Sequence, residues 1–318
     1  MNDVVEQVVP DLDALRSALA DALKQVNHIV VGKEEVVNLA FSCLLADGHL
    51  LLEDLPGVGK TTLAHALAIT TGLYYQRIQF TSDMLPADIL GISIYSRKQE
   101  KFDFHSGPIF SQVVLADEIN RATPKTQSAL LEAMAERQVT IEGSSRPLPR
   151  PFFVLATQNP IDLAGTFPLP DSQLDRFLMK LAMGYPDPAA ERRLLEEPDR
   201  LSMLAEARQS MNTEQLLDLQ YAVCRVHASA ALLDYLQALV AATRDDANIA
   251  TGLSPRATMA ILRCGRAWAL LQGRDHCIPE DLQAIFVPVA AHRLRPAQGT
   301  ELSLEQLASQ ILEQVPVS

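Results

Sequence analysis

The spacing of apolar positions changes character along the chain, and that change divides it. Leu12, Leu15, Leu19, Ala22, Leu23 and Val26 recur at helical intervals and predict an opening amphipathic helix. An apolar knot at 29–31 leads into a second predicted helix through Leu45. Short apolar runs then follow at 50–52, 113–116 and 152–156, each of strand length and bounded by turn residues. Between them lie helical segments, one carrying Leu63, Ala64, Leu67 and Ala68, another carrying Leu130, Leu131 and Met134 and ending near Arg137. Residues 75–80 alternate with period two and read as a half-buried strand. Strands alternating with helices predict an α/β domain built on a parallel sheet.

After Tyr185-Pro186-Asp187-Pro188 the strand pattern stops. Helices are predicted at 191–195, 212–226, 230–243, 254–271 and 280–294, with Ser254 as an N-cap and Pro255 at the first helical position. The chain therefore divides into an α/β domain, 1–185, and a smaller all-α domain, 186–318. Two hairpins interrupt the first. At 91–110, Ile92, Ile94, Phe102 and Phe104 flank a polar turn; at 139–151, Arg146 and Arg150 lie near the tip and stem. Whether such a hairpin is decoration or a moving part is open at this level.

Composition narrows the classes. A chain of 318 residues with 48% apolar and 21% charged positions has enough material for full-sized cores. A net charge of −12 counts against a nucleic-acid surface, which needs a basic face. Cys43, Cys224, Cys264 and Cys277 show no metal-ligand spacing and are expected to be reduced and structural. Asp3, Glu6, Asp11 and Asp13 leave no apolar leader, and no apolar run reaches the ~18 residues of a membrane span. A cytoplasmic location with no membrane segment is expected.

Chemistry concentrates at the ends of the predicted strands. The run at 50–52 leads into Glu53-Asp54-Leu55-Pro56-Gly57-Val58-Gly59-Lys60-Thr61-Thr62, and then into a helix. Strand, glycine loop and helix with Gly-Lys-Thr at the loop's end is the pattern of a phosphate-binding loop. Glycines let backbone N–H groups turn toward phosphate oxygens, and the helix N-terminus adds its dipole. Lys60 would reach the terminal phosphates and Thr61 would ligate Mg²⁺. The usual pattern has glycine at position 54, where this chain has Asp54. The run at 113–116 ends in Asp117-Glu118. In this context the first carboxylate orients Mg²⁺ through its water shell, and the second accepts a proton from, or aligns, the water that attacks the γ-phosphate. The run at 152–156 ends in Thr157-Gln158-Asn159-Pro160, which puts the Asn159 amide where open parallel sheets bind ligands. Val31 and Gly32 either pack on an adenine ring or belong to the core. Arg176, in Leu174-Asp175-Arg176-Phe177, and Arg256, in the first turn after Pro255, are each either ion-paired surface residues or groups that reach a nucleotide.

Taken together these elements resemble the AAA+ ATPases, and within them the MoxR family. The resemblance rests most on Leu115-Ala116-Asp117-Glu118-Ile119-Asn120-Arg121-Ala122, on 125–134, on 157–160 and on 174–177. It implies a phosphate-loop αβα sandwich with a helical lid and ATP sites at the seams of a ring, usually a hexamer. Lys60 and Thr61 then correspond to Walker A, Asp117 and Glu118 to Walker B, Asn159 to sensor 1 and Arg256 to sensor 2. Arg176 is similar to the arginine finger, and the hairpins to the helix-2 and pre-sensor insertions. ATP, Mg²⁺, a protein client and a von Willebrand factor A-type adaptor are what this resemblance implies, with metalloenzyme maturation a frequent outcome. Two rival classes are a nucleic-acid motor, disfavoured by the acidic balance, and a non-hydrolysing ATP-binding module, disfavoured by Glu118, Asn159 and Arg176.

Overall fold

A computed structural model describes residues 12–98, 100–159, 165–197 and 199–317. Asp3, Glu6 and Asp11, and Pro160 of the Asn-Pro turn, lie outside the described residues. Helices α1 (Leu12–Ile29) and α2 (Glu34–Leu45) lead into strand β1 (Leu50–Glu53), and α3 (Lys60–Thr70) crosses over to β2 (Tyr75–Gln79). A short α4 (Pro86–Leu90) and the antiparallel pair β3 (Gly91–Ser96) and β4 (Lys101–Ser106) precede β5 (Val113–Asp117). Helix α5 (Pro124–Glu136) and a second antiparallel pair, β6 (Gln138–Ile141) and β7 (Ser144–Pro147), precede β8 (Phe153–Gln158). A four-residue α6 (Asp171–Leu174) and the short β9 (Met179–Leu181) complete this half.

The five central strands are all parallel, in the order β2-β5-β8-β1-β9. The apolar runs of β1, β5 and β8 are continuous because both sheet faces are covered there. Leu50, Leu52, Val113, Leu115 and Leu155 enter the core shared with α1, α2, α3 and the C-terminal helices. Leu51, Val114, Ala116, Val154 and Ala156 enter a second core with Leu130, Leu131 and Met134 of α5. Edge strand β2 buries only Ile78 fully.

The two antiparallel pairs span Gly91–Ser106 and Gln138–Pro147. In the second, Glu142 and Gly143 have φ of 51° and 77°, the two left-handed residues a tight hairpin turn requires. The Arg146 guanidinium lies 3.9 Å over the Phe104 ring, which ties the two hairpins together. The first presents Ile92, Ile94, Tyr95 and Phe102 to solvent.

The remainder comprises α7 (Pro188–Glu196), α8 (Arg200–Glu206), α9 (Thr213–Arg225), α10 (Ala230–Asp245), α11 (Pro255–Leu271), α12 (Pro279–Ala290) and α13 (Leu304–Gln314). Ser254 caps α11, its hydroxyl accepting from Ala257 N at 3.2 Å. In this half the structure departs from the sequence pattern in three ways. Helices α8 and α13 are additional. The segment expected to be helical through 294 leaves α12 at Ala290 for a tight turn, Ala291–Arg293. A ribbon of β10 (Ile249–Thr251) and β11 (Arg295–Pro296) stands where no strand was expected. Elements of two or three residues are too short to show a period. Among the described residues no helix is long and apolar enough to cross a membrane. All four cysteines are free, and burial pushes the Cys264 and Cys277 thiols up to about 12, which leaves them inert.

His49 fixes β1 to its neighbours. Its Nδ1 accepts from Val154 N at 3.1 Å, so the neutral ring donates from Nε2 to Met134 O at 3.3 Å. Burial, reinforced by nearby Arg137, pushes this imidazole from its ordinary value down to about 3. The unfolded ring takes up a proton below about pH 6.5, whereas the folded ring stays neutral. This contribution to stability is therefore complete above the unfolded value and is lost as pH falls toward 3. In urea titrations, His49→Gln is expected to show a shallower fall in stability from about pH 6 to pH 4 than the parent, by up to ~1.4 kcal/mol per pH unit. Parallel curves would contradict this role.

Candidate functional site

The parallel order brings the ends of β1, β5 and β8 side by side, and the phosphate loop leaves β1 at that edge. Gly57 and Gly59 adopt φ of 85° and 97°, a region that only glycine enters without strain. Gly59 sits directly before α3 and carries no capping side chain, so the first N–H groups of that helix have no partner within it. They border a cavity of ≈380 Å³ lined by Lys60, Thr61, Asp117, Glu118 and Asn159, and also by Pro56, Gly57, Gly59 and Thr62. Lys60 Nζ donates to the carbonyls of Asp54 and Leu55 at 2.6 and 2.9 Å. Partial burial lowers its pKa, opposed by the negative charges of Asp54, Asp117 and Glu118.

The two carboxylates at the end of β5 are held differently. Asp117 Oδ1 accepts from the Thr157 hydroxyl at 2.6 Å, and Oδ2 accepts from Arg77 Nη2 at 2.6 Å. Thr157 Oγ1 also accepts from Glu118 N at 2.9 Å, so one hydroxyl locks β5 to β8 across the sheet. Glu118 has φ 56° and ψ 48°, left-handed values rare for a side chain of this size. Its carboxylate accepts from Gln79 Nε2 at 2.8 Å and pairs with Arg121 Nε at 3.1 Å. Asn159 follows β8 into the cavity, its carbonyl accepting from Asn120 at 3.3 Å.

A second pocket of ≈260 Å³ adjoins the first, sharing Pro56, Gly57, Gly59 and Thr62. Ile29, Val30, Val31 and Val58 make it apolar, and Tyr185, Pro186 and Leu194 close its far side. Val31 thus stands at the pocket. Gly32 does not line it; its φ is 69°, and a Cβ there would meet the Ala190 Cβ at 2.5 Å, so the glycine lets α7 approach.

Arg176 and Arg256 are elsewhere. They line a third cavity, of ≈410 Å³, with Asp47, Asp175, Arg263 and Arg293, and no phosphate-loop residue reaches it. Arg176 Nη1 donates to Leu131 O at 2.7 Å, and Arg256 lies 3.6 Å from Asp175. Within one chain, then, the two arginines share a cavity that does not include Lys60. Arg77, Gln79 and Thr157 line the phosphate cavity without having been singled out from the sequence. Arg77 and Gln79 share one face at the carboxyl end of β2, and that period-two spacing was their signal.

Hard oxygen donors beside a lysine and a bare helix N-terminus suit a polyphosphate with a divalent cation. The apolar annex suits a planar base. The residues present therefore fit a nucleotide. Residues 49–179 match the model of the ATPase family associated with various cellular activities (AAA), and residues 241–315 match the AAA lid domain. The chain is 41% identical over 310 residues to the chaperone MoxR1 of Mycobacterium tuberculosis, spanning 93% of this chain and 81% of that protein. The chain belongs to the MoxR family of AAA+ ATPases. It is also 43% identical over 306 residues to the uncharacterized protein YeaC of Bacillus subtilis, spanning 95% of this chain and 96% of that one. A solved structure from Cytophaga hutchinsonii superposes with a TM-score of 0.89 at 35% identity, covering 96% of this chain and 97% of that one.

In this MoxR-family chain the aspartate that replaces the usual loop glycine has a visible role. Asp54 Oδ1 accepts from Leu55 N at 2.7 Å, and Oδ2 accepts from Gly184 N, so the carboxylate ties the loop to the segment after β9. Asp54→Gly would release both charge-assisted bonds and is expected to lower unfolding stability by about 2 kcal/mol. Denaturant titration checks this, and an unchanged midpoint would show that the tie carries no energy.

Proposed function

We propose that this chain is a Mg²⁺-dependent ATPase that works in an oligomeric ring, a hexamer, and uses ATP turnover to remodel partner proteins. The observation that supports this most is the convergence of Lys60, Asp117, Glu118 and the α3 N-terminus on one cavity that continues into an apolar pocket. In this reading residues 1–185 are the nucleotide-binding core and 186–318 the lid. Val31 and Val58 bound the base, with Gly32 allowing α7 to close over it. The backbone from Gly57 to Thr62 receives the phosphates, and Lys60 exchanges its two loop carbonyls for phosphate oxygens. Thr61 and Asp117 hold Mg²⁺, which neutralises charge on the phosphates when bound.

Glu118 accepts the proton of the attacking water and Asn159 orients that water. The strained backbone of Glu118, together with Gln79 and Arg121, keeps the carboxylate aimed at the cavity. Arg176 and Arg256, gathered on a separate face, act across the seam on the nucleotide of a neighbouring subunit, where a cation offsets charge on the transferred phosphoryl group. The name of the mycobacterial relative, a chaperone, supports a protein client. A von Willebrand factor A-type adaptor, metalloenzyme maturation and a cytoplasmic location complete the reading. The net charge of −12 weighs against a nucleic-acid client.

Two substitutions separate binding from turnover. Lys60→Ala is expected to abolish tight ATP binding, because the triphosphate loses the ammonium at the end of the loop. Glu118→Gln is expected to bind ATP as the parent does and to turn it over ~10²-fold or more slowly, since the amide keeps the shape and loses the basicity. Equilibrium binding and phosphate release measure the two, and parental turnover in Glu118→Gln would overturn the assignment. Affinity capture with Glu118→Gln and ATP is expected to retain the client that the parent releases.

A further inference from the structure

The segment that carries Arg176 has little regular structure of its own. Its only helix, α6, is four residues long, and the chain then turns through Asp175, Arg176 and Phe177 to reach β9. What grips it comes from the far half of the chain. Arg293, on the turn after α12, has a side chain only 6% exposed. Its Nε donates to Asp175 Oδ1 at 2.7 Å, Nη2 donates to Phe177 O at 2.7 Å, and Nη1 donates to Leu178 O at 3.1 Å and also to Val289 O. The adjacent His292 donates from Nε2 to the same Phe177 carbonyl at 3.1 Å, its ring kept neutral by burial. Arg295 pairs with Asp171 at 2.9 Å. His292 and Arg293 of the turn, with Arg295 of β11 just beyond it, thus hold 171–178 at both ends.

A buried arginine is costly to desolvate and persists only where its donors are matched. Here the planar fork of Arg293 is spent almost wholly on the backbone and carboxylate flanking Arg176, a pattern that a lysine's single ammonium cannot reproduce. Asp175 is shared: its other oxygen lies 3.6 Å from Arg256. The carboxylate next to Arg176 therefore also faces the guanidinium of the second arginine that lines the same cavity.

We infer that Arg293, acting through Asp175, is the positioning residue that holds Arg176 and Arg256 in register for the neighbouring subunit's nucleotide. This rests on the seam reading of Arg176 proposed above. Arg293 is almost buried and its donors are spent on the protein, so it fixes the backbone from which Arg176 projects. Displacing a catalytic group by about an ångström is enough to cost on the order of 10²-fold in rate. The lid turn, and not the core alone, then determines whether a subunit is a competent donor to its neighbour.

Subunit mixing tests this. Arg293→Lys keeps the charge and loses the fork; Asp175→Asn keeps the shape and loses the charge, and serves if the first variant folds poorly. Each alone is expected to bind ATP with parental affinity and to lose ~10²-fold in kcat with KM changed little. Glu118→Gln subunits cannot turn over their own ATP but carry an intact Arg176. Mixed with either variant under conditions of subunit exchange, they are expected to restore turnover several-fold above both parents. Arg176→Ala mixed with Glu118→Gln is the control, and it should recover likewise. If Arg176→Ala recovers and the Arg293 and Asp175 variants do not, the positioning role is overturned while the seam reading stands. Parental turnover in both variants overturns it equally. If Arg176→Ala itself fails to recover with exchange confirmed, the seam reading falls and this inference falls with it.

Discussion

In a parallel sheet every strand ends at the same edge, and the rest of this molecule depends on that constraint. β1, β8 and β5 are neighbours and parallel, so the phosphate loop, Asn159 and the Asp117-Glu118 pair emerge together although they are far apart in sequence. The Thr157 hydroxyl then removes the remaining freedom between two of those ends, receiving the Glu118 N–H and donating to Asp117. Burial on both sheet faces keeps the register fixed, because a slip of one residue would exchange Leu51 with Leu50 or Leu52 between the two cores.

Charge is distributed to suit the same edge. Lys60 sits among Asp54, Asp117 and Glu118, and Arg77 holds Asp117 from the edge strand. Each carboxylate there has a named donor, which is what keeps a partly buried acidic group from a large desolvation cost. The arginine-rich cavity at 176 and 256 has a different basis. Its acceptors, Asp47 and Asp175, belong to the core, whereas Arg256, Arg263 and Arg293 arrive from the lid, so that cavity exists only while the two halves are docked.

Much of this was legible in the residues. The run at 50–52 with its glycine loop, and the runs ending at Asp117 and Asn159, carry strong local signals because buried strands need unbroken apolar sequence and left-handed turns need glycine. Other features depend on distances that no local pattern encodes. The bond from Asp54 to Gly184 joins positions 130 apart, and Arg77 and Gln79 look like ordinary edge-strand residues until β5 is laid beside them. That Arg256 shares a cavity with Arg176 and not with Lys60 depends on how the lid docks, and Arg293 reads from sequence as the end of a helix. The β10–β11 ribbon and β9 are too short for periodicity to reveal.

The central claim is that a nucleotide is held between the phosphate loop of one subunit and the arginine face of the next. The most direct measurement is a cryo-electron microscopy structure of the Glu118→Gln protein with ATP and Mg²⁺. The account predicts a closed ring in which each triphosphate lies against Lys60 and the α3 N-terminus of one subunit, with Arg176 of its neighbour at hydrogen-bonding distance from the terminal phosphate. Nucleotide bound in the Arg176–Arg256 cavity of its own chain, or rings in which no neighbouring arginine approaches the phosphates, would contradict it.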